Sequence, residues 1–186
     1  EKLMGNFAAF MEAVINASKV ITASVGLDRQ QILEKILEQA VETIRGGDER
    51  KATLGTMQFF DEKTRELVFE CVYPKSILSE LKVEMGDRLL VELGKSGVTV
   101  RAAYTRSPQL VKNVKEDSDY IVYSEKTKSE LAVPLIDGDR LIGILDVESD
   151  NVDAFDEEDV EAFKALADMV VVALKNAEGA GELSFA

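Results

Sequence analysis

The segment SELAVPLIDGDRLIGILDVES at residues 129–149, continued by DNVDAFDEEDVEAFKALADMVVVALKNA at residues 150–177, orders two strands, a tight turn and a helix. Asp137-Gly138 separates two apolar runs, and this dipeptide is a strong hairpin signal because glycine adopts positive φ without strain. The acidic residues 156–159 stabilise the positive end of a helix. That helix is predicted to bury one apolar stripe, namely Val160, Phe163, Ala167, Val170 and Leu174.

These pieces together resemble the C-terminal half of a GAF domain, a small-molecule-binding sensory module of signalling proteins. The matching residues are 129–135, 142–147, Phe155 and 176–177. The resemblance extends over residues 28–177 and implies an α+β, PAS-like fold. In that fold the N- and C-terminal helices pack on one face of an antiparallel sheet, and loops and short helices cover a ligand pocket on the other face.

Composition narrows the classes of function. The chain has 186 residues, of which 46% are hydrophobic, enough for the core of a single domain. Its formal charge of −13 disfavours nucleic-acid binding, and no run approaches the roughly 20 apolar residues of a membrane span. The lone cysteine is compatible with a cytoplasmic location. The absence of histidine disfavours metal, haem and catalytic-triad sites, so we expect neither metal nor cofactor.

The N-terminal segment has the pattern of one long helix that ends near residue 25. Two apolar rows are predicted there: Leu3, Phe7, Phe10, Val14, Ala17 and Ile21, then Met4, Ala8, Met11 and Ile15. We expect one row to meet the domain and the other a second copy of the chain, whereas the alternative is a helix packed wholly on its own domain. The predicted organisation is a dimerisation helix at 1–26, a GAF-like domain at 27–178 and a flexible tail at 179–186.

Alternating and helical patterns predict the elements in between. Asp28 caps a helix that ends at Gly46-Gly47, and strands at 52–60 and 66–73 form a hairpin. Leu67, Phe69, Cys71 and Tyr73 are expected to share one face of the second strand. Further along, the pattern predicts a strand at 82–85, a helical turn at 88–93, a helix at 97–104 and a strand at 109–111.

Residues 111–120 resemble the pocket-rim segment of GAF domains. The candidate ligand-binding residues are Met85, Leu89, Val111, Asn113, Tyr120, Tyr123, Ser129 and Glu130. Each tyrosine offers a flat apolar face and a hydroxyl, although packing of both rings against the sheet edge is an equal alternative.

Glu130 and Asp146 lie on neighbouring predicted strands, and their relationship depends on the hairpin register. A two-residue loop places Glu130 opposite Leu145, and a three-residue loop places it opposite Asp146. Facing carboxylates would retain a proton or hold a cationic group. The simpler interpretation is that both side chains are solvated.

Two other chemistries are disfavoured. Cys71 lacks the histidine that accompanies bilin attachment in GAF domains, and no further cysteine lies near residues 129–131 as in the reductases of the family, so we expect a buried core thiol. Phe155 and Asp159 match only part of the Asn-Lys…Phe…Asp-Glu pattern of cyclic-nucleotide-binding GAF domains, because Val114 and Val160 depart from it. A cyclic nucleotide is therefore a possible but disfavoured ligand.

The resulting hypothesis is a non-catalytic sensory domain that binds a small molecule and transmits the signal through its terminal helices in a homodimer, without direct membrane contact. The alternative is a dimerisation or scaffold module with no ligand, taken from a histidine kinase, a cyclase or phosphodiesterase, or a transcription regulator. An enzyme is disfavoured, with no catalytic residue assigned, because only carboxylates and tyrosines remain as candidates. No turnover of free methionine sulfoxide is expected.

Overall fold

The computed structural model describes Ala8, residues 28–92 and residues 97–179. The strands are β1 (Leu54–Asp61), β2 (Glu66–Tyr73), β3 (Arg88–Leu90), β4 (Gln109–Val111), β5 (Ser129–Asp137) and β6 (Arg140–Ser149). The α-helices are α1 (Arg29–Arg45), α2 (Val98–Thr105) and α3 (Glu157–Gly179), and short 3-10 helices span Lys75–Glu80 and Val114–Glu116. The predicted N-terminal helix, but for Ala8, and the tail after Gly179 lie outside the described residues.

The six strands form one sheet in the order β3-β2-β1-β6-β5-β4, and every neighbouring pair is antiparallel. The predicted hairpin is present, with Asp137 opposite Arg140 and Gly138 at φ 60° in the turn. The predicted α+β class with an antiparallel sheet is thus confirmed.

Helices α1 and α3 pack on one face of this sheet, as predicted. Helix α1 begins with a capping box, in which Asp28 accepts from the Gln31 amide at 2.9 Å and Gln31 accepts from the Asp28 amide at 3.0 Å. Asp156 and Asp159 exchange equivalent bonds at the start of α3, both at 2.9 Å. The core between helices and sheet includes Ile36, Leu37, Met57, Val133, Leu145, Phe163 and Leu174. Helix α2 and the loops cover the opposite face.

A bulge in β2 changes which side chains share a face. Met57 pairs with Cys71 but Gln58 pairs with Phe69, so Glu70 is an extra residue between them. Cys71 therefore faces the helices with Tyr73, whereas Phe69 packs on the loop side. The prediction of one common face for alternate residues of this strand is wrong because a bulge inverts the alternation.

Two predicted elements of the middle segment are also wrong. Residues 82–85 contain no strand, and residues 88–90 form strand β3 instead of a helical turn. Strand β3 pairs with β2, for example Arg88 with Val68. Such edge pairing depends on a partner strand about 20 residues away, so local propensity does not reveal it.

Among the described helices, none is long and apolar enough to cross a membrane.

Candidate functional site

The loop-covered face of the sheet carries a buried cluster of carboxyl groups. Glu130 on β5 lies opposite Glu148 on β6, and Asp146 lies two residues before Glu148, on the same face of β6. Their residues are 3%, 0% and 0% exposed, respectively. We call Glu130, Asp146 and Glu148 the carboxyl cluster.

The observed register differs from both alternatives that the sequence left open. A shift between Leu135 and Ile136 places Glu130 opposite Glu148, and Asp146 opposite Ala132. The interpretation of Glu130 and Asp146 as solvated strand residues is wrong, because α2 and the loop before β5 cover this part of the sheet and exclude water.

Several oxygens of the carboxyl cluster have no partner. Asp146 Oδ2 accepts from the Thr56 hydroxyl at 3.3 Å, but Asp146 Oδ1 and both oxygens of Glu148 accept no hydrogen bond within the described parts of the chain. An unpaired buried carboxylate costs several kcal/mol, roughly, unless it is protonated or meets a cation. The cluster is therefore suited to hold protons or to bind a positively charged group.

Burial raises the pKa of each member of the cluster. The pKa of Glu130 and that of Glu148 lie well above the usual 4.5, first because of desolvation and then because Asp146 is a negative neighbour. Desolvation also raises the pKa of Asp146 to about 6, although the neighbouring Glu130 carboxyl and the hydrogen bond from Thr56 oppose this rise. Burial thus favours the protonated forms of Glu130 and Glu148, whereas Asp146 has a pKa of about 6.

Hydroxyl groups cover the cluster from above. The hydroxyls of Tyr120 and Thr127 are buried and close enough to Glu148 to lower its pKa, yet neither forms a hydrogen bond in the described structure. Burial raises the pKa of the Tyr120 and Tyr123 phenols, and the negative cluster beneath adds to this rise. Within the described residues, Tyr120 and Thr127 thus place unpaired hydroxyl groups close to the unpartnered oxygens of Glu148.

The structure brings part of the predicted site together. Glu130, Tyr120 and Tyr123 meet at the cluster, Leu89 lines a neighbouring cavity with Tyr123, and Val111 is buried against α2.

The remaining predicted residues do not reach the cluster. Met85 is 40% exposed, and Asn113 caps a short helix by accepting from the Lys115 amide. Ser129 faces the other side of β5, where its hydroxyl donates to the Asn151 carbonyl at 2.6 Å. Met85, Asn113 and Ser129 therefore lie apart from the carboxyl cluster.

The prediction missed Glu148, Thr127 and Thr56, and it favoured a solvated role for Asp146. A signal was present, because Asp146 and Glu148 alternate along a strand that is otherwise apolar. Charged residues at alternate positions of a buried strand indicate a site in preference to a solvated edge.

Cys71 lies away from this site. Its residue is 0% exposed and packs in the core on the helix-covered face, so the sheet separates its sulfur from the carboxyl cluster. Burial raises the pKa of the thiol, which keeps it protonated. The expectation of a buried core thiol agrees with this position.

Comparison with known proteins identifies relatives for this architecture. The GAF domain family matches residues 26–175. Free methionine-R-sulfoxide reductase of Saccharomyces cerevisiae is 33% identical over 82 residues, which cover 44% of this chain and 45% of that protein. The matched region thus spans about half the length of this curated relative.

Solved structures share the fold over nearly the whole chain. A putative GAF sensor protein from Burkholderia vietnamiensis has a TM-score of 0.68 and 25% identity, covering 96% of this chain and 99% of that chain. Free methionine-R-sulfoxide reductase from Neisseria meningitidis, in complex with its substrate, has a TM-score of 0.66 and 21% identity, covering 92% and 91%.

These relatives correct the functional expectation. The hypothesis of a non-catalytic sensory or scaffold domain, and with it the statement that the chain is not an enzyme, is contradicted by the similarity to reductases. The expectation relied on the absence of histidine and of an accessible thiol. It also favoured solvated side chains for Glu130 and Asp146, whereas buried carboxyl groups with raised pKa values can act as proton donors.

Proposed function

This chain belongs to the GAF domain family, and we propose that it is an enzyme that acts on a small molecule bearing an ammonium group, with free methionine-R-sulfoxide as the first candidate. The observation that carries the proposal is the carboxyl cluster, whose unpartnered oxygens lie buried beneath Tyr120 and Thr127. An ammonium group supplies the positive charge and the hydrogen-bond donors that these oxygens lack.

The cluster divides into two roles in this proposal. Glu130 and Glu148 hold the substrate ammonium and ionise when it binds, because a nearby positive charge lowers a carboxyl pKa. Asp146, with its pKa near 6, exchanges a proton with the substrate oxygen. Burial excludes water, which strengthens both interactions.

Reduction of a sulfoxide in this site consumes two thiols and yields a sulfide, a disulfide and water. Asp146 protonates the sulfoxide oxygen while a thiol sulfur bonds to the sulfoxide sulfur, and the S–O bond breaks to release water. A second thiol then attacks the first, which forms a disulfide and frees the sulfide. The thiol hydrogens restore the proton of Asp146 and complete the water molecule. The reductant in this proposal is a separate dithiol, because Cys71, the only cysteine of the sequence, is buried on the opposite face.

Turnover is tested with the purified chain, L-methionine-R-sulfoxide and excess dithiothreitol, with L-methionine measured by mass spectrometry. We expect turnover of this compound and none of N-acetylmethionine-R-sulfoxide, whose nitrogen carries no charge. Asp146→Asn is expected to lower turnover at least tenfold, roughly, while it still binds the substrate. Glu148→Gln is expected to weaken binding itself.

A matched control is Glu161→Gln on α3, whose side chain is 74% exposed and lies in an ion pair with Lys164. It removes one negative charge far from the cluster and should leave turnover unchanged. Absence of turnover together with absence of binding, in calorimetry with the free amino acid, would refute the proposal.

We also propose that the chain acts in the cytoplasm and forms a homodimer through residues 1–26 and α3, with residues 27–178 as the catalytic domain. The apolar rows of the N-terminal sequence and Val172, which is 56% exposed on α3, support the dimer. Light scattering of the full chain and of a version lacking residues 1–26 tests it. A full chain that stays monomeric at high concentration contradicts the dimer.

A further inference from the structure

A cavity of about 210 Å³ lies beside the carboxyl cluster on the same face of the sheet. Its walls come from β1, β2, β3 and the segments that cross above them. The uncharged lining residues are Gln58, Phe69, Val83, Leu89, Ile121 and Tyr123, and the charged ones are Lys82, Asp87 and Arg88. Since a water molecule occupies about 30 Å³ in the liquid, the cavity has room for an amino-acid side chain or for several waters.

Gln58 is the unusual residue in this wall. It is 1% exposed, and its Nε2 makes no hydrogen bond to any described residue. A buried amide without a partner costs about 1–3 kcal/mol, so its retention at a cavity wall points to a partner that enters from the cavity.

The strand register connects Gln58 to the carboxyl cluster. Thr56, two residues earlier on β1, lies opposite Asp146 and donates to it, whereas Gln58 lies opposite Ile144. Gln58 is thus the diagonal neighbour of Asp146, at a distance of about 7–8 Å between backbones. Tyr123 connects the cavity to the carboxyl cluster. It lines the cavity, and burial raises its pKa, with a further rise from the nearby cluster carboxyls.

We infer that this cavity receives the side chain of the same substrate and that Gln58 determines specificity by donating a hydrogen bond from Nε2 to an oxygen acceptor on that side chain. The inference rests on the proposed function, since the ammonium of this molecule lies on the carboxyl cluster. The substrate class is then a free amino acid with a short apolar side chain that carries a neutral acceptor oxygen, such as a sulfoxide. The acceptor lies between Gln58 and Asp146, where the proton is needed.

The test compares ligands that share the ammonium group but differ in the acceptor. Calorimetry with L-methionine-R-sulfoxide, L-methionine and L-norleucine measures the affinity ratio of sulfoxide to sulfide. For the native chain we expect a preference for the sulfoxide of about tenfold, the value of one good hydrogen bond. Gln58→Met, which keeps the length of the side chain and removes one of the two donors, should lower this preference and leave L-methionine binding intact or stronger.

Gln39→Met on α1, a partly exposed glutamine remote from the cavity, is the matched control and should keep the native ratio. A second measurement needs no variant: the side-chain amide resonance of Gln58 should shift with the sulfoxide and not with L-norleucine. An unchanged ratio in Gln58→Met, or equal shifts with both ligands, overturns this inference and leaves the proposed function standing. Failure of the native chain to bind all three compounds overturns the proposed function and this inference with it.

Discussion

Arg101 on α2 forms a bidentate ion pair with Asp117, with Nη2 donating to Oδ2 at 2.7 Å and Nη1 to Oδ1 at 3.1 Å. The same guanidinium donates to Asp119 at 3.0 Å and to Gln109 at 2.8 Å. These bonds fasten the loop that carries Tyr120 to the helix beneath it. The Arg101 side chain therefore holds in place the loop that covers the carboxyl cluster, although Arg101 is not a member of the cluster.

Replacement of Arg101 by Met should loosen the loop that carries Tyr120. The free energy of unfolding is expected to fall by about 1–3 kcal/mol at neutral pH, the value of hydrogen bonds to a charged partner, and substrate affinity should fall several-fold. Urea denaturation and calorimetry measure the two effects. Arg50→Met is the control, since the Arg50 side chain is 87% exposed and, among the described residues, its ion pair is with Asp48. Equal effects of the two substitutions would contradict the role of Arg101.

The Arg101 pair also has a defined pH dependence. Hydrogen bonding to Arg101 holds the pKa of Asp117 below its usual 3.8, so the folded state binds this proton less readily than the unfolded state. The stabilisation is thus complete above about pH 4 and is lost as the pH falls through the lower folded pKa. The difference in unfolding free energy between the native chain and Arg101→Met should shrink accordingly between pH 5 and pH 2, in roughly that interval.

The carboxyl cluster has the opposite pH dependence. The pKa of Asp146 rises from 3.8 to about 6 on folding, so the folded state binds the proton more tightly. Its stabilising effect is complete below about pH 4 and is lost as the pH rises through about 6. Asp146→Asn should therefore gain stability over the native apo chain as the pH rises from 4.5 to 8, on the order of 1–3 kcal/mol. If the free energies of unfolding of the native chain and of Asp146→Asn changed in parallel with pH, burial would not destabilise the ionised form of Asp146.

Ligand binding should release protons from the same cluster. An ammonium group favours the ionised forms of Glu130 and Glu148, whose pKa values are raised in the apo state. Affinity for L-methionine-R-sulfoxide is expected to increase with pH until these carboxyls are ionised in the free protein, with proton release visible as a buffer-dependent heat in calorimetry. Affinity independent of pH and heats independent of buffer would contradict ammonium binding at these carboxyls.

Local signals in the sequence are sufficient for the elements that depend on them. The capping residue Asp28 and the Asp137-Gly138 turn specify a helix start and a hairpin, and both are present as predicted. The carboxyl cluster depends on irregularities of pairing that no local pattern encodes, namely the shift at Leu135/Ile136. The bulge at Met57/Gln58 likewise decides which side of the sheet Cys71 faces. A single extra residue moves a side chain from the core to the site, which is why the sequence predicted the fold better than the site.

The position of Cys71 gives a direct test of the reductant. Because the thiol is fully buried and its pKa is raised, it should resist Ellman's reagent in the native state and react after denaturation. Cys71→Ala should lose about 1 kcal/mol of stability from the small cavity and keep its turnover with dithiothreitol. Loss of turnover in a folded Cys71→Ala protein would show that this sulfur takes part in the reaction.

Gly143 holds β1 and β6 close together at the level of Gln58. A Cβ atom at this position would lie 2.1 Å from the Gln58 carbonyl oxygen and 3.1 Å from the Phe59 Cα, both of them backbone atoms that cannot rotate away. Gly143→Ala should therefore separate the central strands and lower the free energy of unfolding by at least the 1–3 kcal/mol, roughly, of an overpacked core. Gly179→Ala is the control, because no atom of the described residues lies within 4 Å of an added Cβ at this helical position. Since the displaced strand carries Gln58, the folded fraction of Gly143→Ala should also lose its preference for the sulfoxide over L-methionine. A stable Gly143→Ala protein with the native preference would mean that the spacing of these strands does not position Gln58.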